Sequence, residues 1–175
     1  MLQATQEKLN LNHQFDAKRM RHYLNGQLSV LHCHHYASLY TQLAIDAKET
    51  DLLTRVSEET FHGVLANYFD KHNVESLDER IAIACEHYGA IGLGQMAVHH
   101  LGSDSGEVVL AHSHVDEGWM KKWGKFDQPV NFIGSGYIAG MFAAIWDKPI
   151  STFQVRETQS IVQGAPQSRF TVYKA

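Results

Sequence analysis

The sequence predicts an α+β domain in which a helical layer packs on a four-stranded, mostly antiparallel sheet. Three observations lead there. Residues 33–88 repeat apolar side chains at three- and four-residue spacing, punctuated by helix-ending signals. Beyond Gly89, Gly92 and Gly94 come two short β-rich runs, QMAVHHL and EVVLAHSHV, separated by GSDSG, which is the texture of a hairpin. A glycine-spaced apolar segment, NFIGSGYIAGMFAAIW, then precedes two more strand patterns, ISTFQVRETQSIV and SRFTVYK, joined by a QGAPQ turn. This order describes one domain, with residues 1–76 as its N-terminal helical part and 77–175 as its α+β core.

Taken in order, KRMRHYLNGQ is expected to form a short helix closed by Asn25-Gly26. Cys33 to Lys48 suits a second helix. On it His32, His35, Tyr36, Leu39, Leu43 and Ala47 share one face, so His32 and His35 are expected to look inward and His34 outward. Residues 50–72 form the next helix, with Leu52, Leu53, Val56, Phe61, Val64, Leu65, Tyr68 and Phe69 as its apolar side and Asn73 as its end. Ser76 and Glu79 have the spacing of a capping box that opens a helix to about Tyr88. With the hairpin turn centred on Asp104, one buried face carries Met96, Val98, His100, Val108, Leu110, His112 and His114; a slip of one residue reverses it. VDEGWMKKWGK is amphipathic, and Gly134, Gly136 and Gly140 allow close packing of a buried helix.

The 175 residues, 44% apolar and 19% charged, suffice for one full core. A net charge of −4 without a basic run gives no footprint for nucleic acid. No apolar stretch approaches the length of a membrane span. The polar opening MLQATQEKLNLNHQ lacks the apolar core of a secretion signal, and the two cysteines, Cys33 and Cys85, read as reduced thiols of a cytoplasmic protein. The unusual number is twelve histidines, the commonest metal ligands and the side chains that titrate nearest neutral pH.

From YGAIGLG through AHSHVDEGW to GSGYIAGMFAAIWDKPISTFQVRETQSIVQGAPQSRFTV, roughly residues 77–174, the chain resembles the 4-vinyl reductase domain family of hydrocarbon-binding proteins. The glycine-rich helix, the strand with Glu157, Gly164 and the final strand carry the resemblance. It implies helices on an antiparallel sheet, similar to vesicle-tethering TRAPP subunits and to the sensing domains of phenol-responsive activators. It also implies a homodimer, and an apolar cavity that takes an acyl chain or an aromatic effector. Other members are linked to reduction of a tetrapyrrole vinyl group. In the phenol-sensing relatives a structural zinc is held by one cysteine, a glutamate and two more cysteines, the last three spaced E-x-x-C-x7-C. This chain keeps Glu157 but has Ser160 and Ser168 at the cysteine positions, and FIGSG where the first cysteine is expected. Hydroxyls are poor zinc ligands, so the family zinc site is expected to be absent, leaving Glu157 a hydrogen-bonding residue.

The histidines support two expectations. His32 and His35 lie at i, i+3 on a helix, His112 and His114 on one strand face, and Glu86-His87 beside the glycine turn into the sheet. Gathered between the layers with Glu86 or Glu157, the four residues His32, His35, His112 and His114 suit a transition metal, iron or zinc. Alternatively His32, His35, Tyr36, His87, Trp119, Trp123 and Tyr137 line a pocket for a small hydrophobic or aromatic molecule. Ligand binding is the leading expectation and a small metalloenzyme the alternative; an interaction subunit would instead show a large apolar patch. His13, His22, His62 and His72 read as structural. Cys33 lacks an orienting partner for a nucleophile, and Cys85, in IAIAC, reads as core.

Overall fold

The computed structural model describes residues 11–30 and 32–175. Most of the polar opening and Leu31 of LHCHHY lie outside the described residues.

The expected first helix is instead a small antiparallel sheet of β1 (His13–Asp16), β2 (Arg21–Leu24) and β3 (Gln27–Ser29), in that order. Asn25 and Gly26 both take positive φ, 49° and 82°, the conformation a two-residue hairpin turn demands and Asn-Gly supplies. The same dipeptide also ends helices, and here the cross-strand pair Tyr23–Leu28 resolves the ambiguity.

Three helices follow: α1 (His34–Ala47), α2 (Thr50–His72) and α3 (Leu77–Ala90). Lys48 and Asn73 close the first two in the left-handed conformation, Asn73 as expected. Ser76 stands at the start of α3, but its side chain makes no capping hydrogen bond, so the expected capping box is not formed. The inward face of α1 is also corrected. Ala37, Ser38, Thr41 and Ala44 are buried, whereas Tyr36, Leu39 and Leu43 are exposed. The cause is close approach to a later helix at Gly118, where an added Cβ would lie 2.7 Å from His34 Cβ. Small residues fit that contact and leucines do not, so His34 turns inward while His32 and His35 stay exposed.

The main sheet comprises β4 (Gly94–Leu101), β5 (Ser105–Ser113), β6 (Phe153–Gln159) and β7 (Ser168–Lys174), antiparallel in the order β4-β5-β7-β6. Helices α4 (His114–Trp123) and α5 (Phe132–Ile145) lie between the two hairpins. The expected face holds for Met96, Val98, Val108 and Leu110. Two irregularities spoil it for the histidines. The partners jump from Val98–Val108 to His100–Glu107, and from Met96–Leu110 to Gln95–His112. Each bulge changes which way the following residues point, so His100 and His112 are exposed and Ser113 is buried.

Helix α5 is the centre of the molecule: Ile138, Met141, Phe142 and Ile145 are fully buried within the core that includes Val108, Leu110, Phe170 and Val172. Its glycines make the expected close contact. A Cβ on Gly136 would lie 2.2 Å from the Thr54 carbonyl oxygen, and one on Gly140 2.6 Å from that of Glu58, both on α2. Gly136→Ala must therefore push two backbones apart. We expect it to cost about 1–3 kcal/mol in urea unfolding. No helix among the described residues is long and apolar enough to cross a membrane.

Candidate functional site

A cavity of about 340 Å³ lies between the N-terminal sheet, α2 and α3, within the usual size range of small-ligand sites. Leu24 of β2, Val64 and Tyr68 of α2, and Ile83 and Ile91 from α3 and its end give it apolar walls. The i, i+4 spacing of Val64 and Tyr68, and of Ile83 and His87, points each pair to one side of its helix.

His87 is the cavity's polar group with a defined state. Tyr137 Oη donates to the Ala84 carbonyl at 2.7 Å, which uses its only proton. The 2.9 Å contact between His87 Nδ1 and the same hydroxyl must therefore have Nδ1–H as donor. Nε2, across the ring, is left with a lone pair. Burial depresses His87 from its ordinary 6.5 to about 4, so this neutral tautomer persists through neutral pH. The sign follows by linkage. Between pH 6.5 and about 4 the unfolded chain binds the proton and the folded chain refuses it, so stability falls on acidification through that window. At about 1.4 kcal/mol per pH unit, the His87 contribution is on the order of 3 kcal/mol. Urea unfolding between pH 7 and pH 4 should show a shallower acid limb in His87→Phe than in the wild type.

Of the seven residues expected to bind ligand, His87 lines the cavity and Tyr137 stands directly behind it. Trp119 is buried in a separate cluster with Val130 and Val162, and Trp123, partly exposed, packs on it at 4.5 Å. His32, His35 and Tyr36 are exposed at the start of α1. Leu24, Val64, Tyr68, Ile83 and Ile91 are lining residues that sequence reasoning missed as pocket residues. The available signal was Asn25-Gly26, which read as a hairpin puts β2 and β3 where a wall is needed.

The expected metal set does not come together. His34 and His35 rings lie 4.4 Å apart and His34 and His114 rings 6.2 Å apart. His112 points outward, with Nδ1 3.1 Å from Glu117 Oε1. Glu86 is on α3 and Glu157 on β6. Among the described residues, no three His, Cys, Asp or Glu side chains are placed to hold a metal ion. Cys33 is exposed at the start of α1; burial pushes the Cys85 thiol up to about 11, so it is no nucleophile at neutral pH.

A second polar site joins the starts of α4 and α5 to the β6–β7 connection. Asp116 Oδ2 accepts from Asn131 Nδ2 at 3.0 Å and from Ser168 Oγ at 3.1 Å. Asn131 Nδ2 also donates to Ser113 Oγ, while Asn131 Oδ1 caps α5 through the Gly134 amide. Burial raises Asp116, against the pull of the hydrogen bonds from Ser113, Ser168 and Asn131. Glu157 is pushed up to about 8 by burial and then by the Asp116 charge. Ser160, Ser168 and the Asn131 backbone lie beside Glu157 and pull the other way, but among the described residues none of them makes a well-aligned hydrogen bond to its carboxylate oxygens. Ser160 and Ser168 stand where a zinc site of the resembled kind needs thiolates, and α5 contains no cysteine. The donor set is all oxygen and does not fit a thiolate-bound zinc.

No family model matches the sequence, and no curated protein matches it. Solved structures do. The phenol-responsive sensory domain of the transcription activator PoxR, solved with phenol, aligns at TM-score 0.76 and 16% identity, covering 93% of this chain and 84% of that one. A vinyl-4-reductase family protein from Methanocaldococcus jannaschii aligns at TM-score 0.57 and 16% identity, covering 84% of each chain. Trafficking protein particle complex subunit 3 from Naegleria fowleri, solved covalently bound to palmitic acid, aligns at TM-score 0.53 and 14% identity, covering 81% of this chain and 91% of that one. The chain is thus a single α+β domain with the fold shared by the phenol-sensing, vinyl-4-reductase and trafficking-particle proteins.

Proposed function

We propose that this protein binds a small hydrophobic or aromatic molecule carrying one hydrogen-bond donor, in the cavity between the N-terminal sheet, α2 and α3. The observation that carries the reading is the state of His87. The Tyr137 hydroxyl fixes its proton on Nδ1, leaving Nε2 as an acceptor in a pocket that Leu24, Val64, Leu65, Ile83 and Ile91 line beside the polar Asn25, Gln27, Ser29, Asn67, Lys71 and His72. Apolar walls supply affinity by burial, and one buried acceptor discriminates strongly, because an analogue without a donor leaves it unpaired. The PoxR sensory domain, similar in fold, was solved with phenol, a ligand of this class.

Isothermal titration calorimetry with phenol and toluene tests the reading. One phenol per chain, with toluene weaker by about tenfold or more, is expected. No heat from phenol at millimolar concentration, together with an unchanged amide NMR spectrum, would overturn it.

The protein is further proposed to be a homodimer. Tyr36, Leu39, Tyr40 and Leu43 of α1, with Leu52 and Val56 of α2, are large apolar side chains left exposed. Sedimentation velocity should give twice the 19.8 kDa chain mass. The two free thiols suit a reducing, cytoplasmic setting. No observation favours the metalloenzyme alternative over ligand binding.

A further inference from the structure

The polar site around Asp116 contains more oxygen than its hydrogen bonds use. Asp116 Oδ1, both carboxylate oxygens of Glu157 and Ser160 Oγ are buried and have no hydrogen-bond partner among the described residues. Asp116 and Ser160 are 0% and 1% exposed. The Tyr88 hydroxyl, fully buried and also without a hydrogen-bond partner, lies within the field of both carboxylates. Neither Asp116 nor Glu157 forms an ion pair with a Lys, Arg or His among the described residues. Two buried acidic groups without a countercharge are costly when ionised, and proteins leave such groups protonated, pair them or give them a metal.

We propose that this site binds one hard divalent cation of the calcium class, held by Asp116 Oδ1, the Glu157 carboxylate and Ser160 Oγ. Two carboxylates balance its charge. Calcium takes six to eight oxygens in adaptable geometry and accepts a carboxylate through both oxygens, so about two to four positions would remain for water. Water and ion have an approach. Glu157 and Asn131 also line an open groove with Lys48, Thr54, Gln128 and Arg156. Soft metals are disfavoured by the same list, because none of the four ligand atoms is sulfur or nitrogen. The other oxygen of Asp116 stays with Asn131 and Ser168, so the ion would join a clasp already formed between α4, α5 and β7. The site shares no lining residue with the ligand cavity, and the two proposals stand or fall separately.

The test is thermal unfolding of chelator-treated full-length protein against CaCl2, with NaCl at matched ionic strength and ZnCl2 as controls. Calcium is expected to raise Tm by about 5–10 °C at a hundredfold excess over Kd. Glu157→Gln keeps the shape of the side chain, removes a charge and should abolish the rise. Ser160→Ala removes a single ligand and should weaken Kd by about tenfold. Terbium luminescence sensitised through nearby tyrosine should titrate in the wild type and be competed by calcium. An unmoved Tm in the wild type, or an equal rise in Glu157→Gln, overturns the proposal. A Tm that rises on mild acidification but ignores calcium also overturns it, and would assign the two carboxyl groups a shared proton.

Discussion

His87→Phe should weaken phenol binding by about tenfold to a hundredfold while leaving toluene binding nearly unchanged or improved. Phenylalanine keeps a ring in the wall and removes the only lone pair that the Tyr137 hydroxyl directs away from itself. The lost hydrogen bond is buried, and a buried donor on the ligand without a partner costs about 1–3 kcal/mol, which sets the range. The fold should survive, because His87 is a wall residue and Tyr137 retains its bond to the Ala84 carbonyl. Calorimetry with the two ligands on both proteins gives the comparison. Equal loss of phenol and toluene would mean that His87 acts only as packing. Tyr137→Phe adds a sharper control: His87 then loses the partner that sets its tautomer, so phenol affinity should fall although no cavity wall has changed.

Asp116→Ala is expected to be the most destabilising single change outside the apolar core. It strips the shared acceptor from Asn131 and Ser168, and both donors are buried. Through Asn131 and Gly134 the loss reaches the first turn of α5, the helix on which the core is built. Removing the shared acceptor costs about 1–3 kcal/mol for each buried donor left without it, or a fall in Tm of about 5–10 °C for a domain of this size. Asp116→Asn retains an acceptor and should recover most of the loss. Differential scanning calorimetry of the two variants in chelator-free buffer separates these outcomes. An alanine variant as stable as the wild type would deny the clasp any structural role.

Much of the architecture was legible because it rests on local periodicity. The glycine-spaced α5, the GSDSG hairpin and the final strand pair all follow from residue spacing, and the structure places them as expected. The failures have one physical origin: a local signal served two conformations. Asn25-Gly26 ends a helix or turns a hairpin, and only strand pairing decides. The α1 pattern offers leucines on one side and small residues on the other; the contact at Gly118 selects the small ones. The bulges that turn His100 and His112 outward leave no mark in an alternating strand pattern. The candidate site was therefore only partly visible. His87 and Tyr137 were found through chemistry-bearing side chains, whereas the cavity's aliphatic walls and the partnership of Asp116 with Glu157 depend on long-range approach.

On the proposed reading, a small hydroxyl-bearing aromatic sits between the N-terminal sheet, α2 and α3, with its hydroxyl on His87. A crystal grown with 4-bromophenol tests this most directly, because bromine is located by its anomalous scattering. One bromine peak per chain is expected among Leu24, Val64, Tyr68 and Ile83, with the ligand oxygen at hydrogen-bond distance from His87 Nε2. A peak elsewhere, or an empty cavity in crystals at saturating 4-bromophenol, would contradict it.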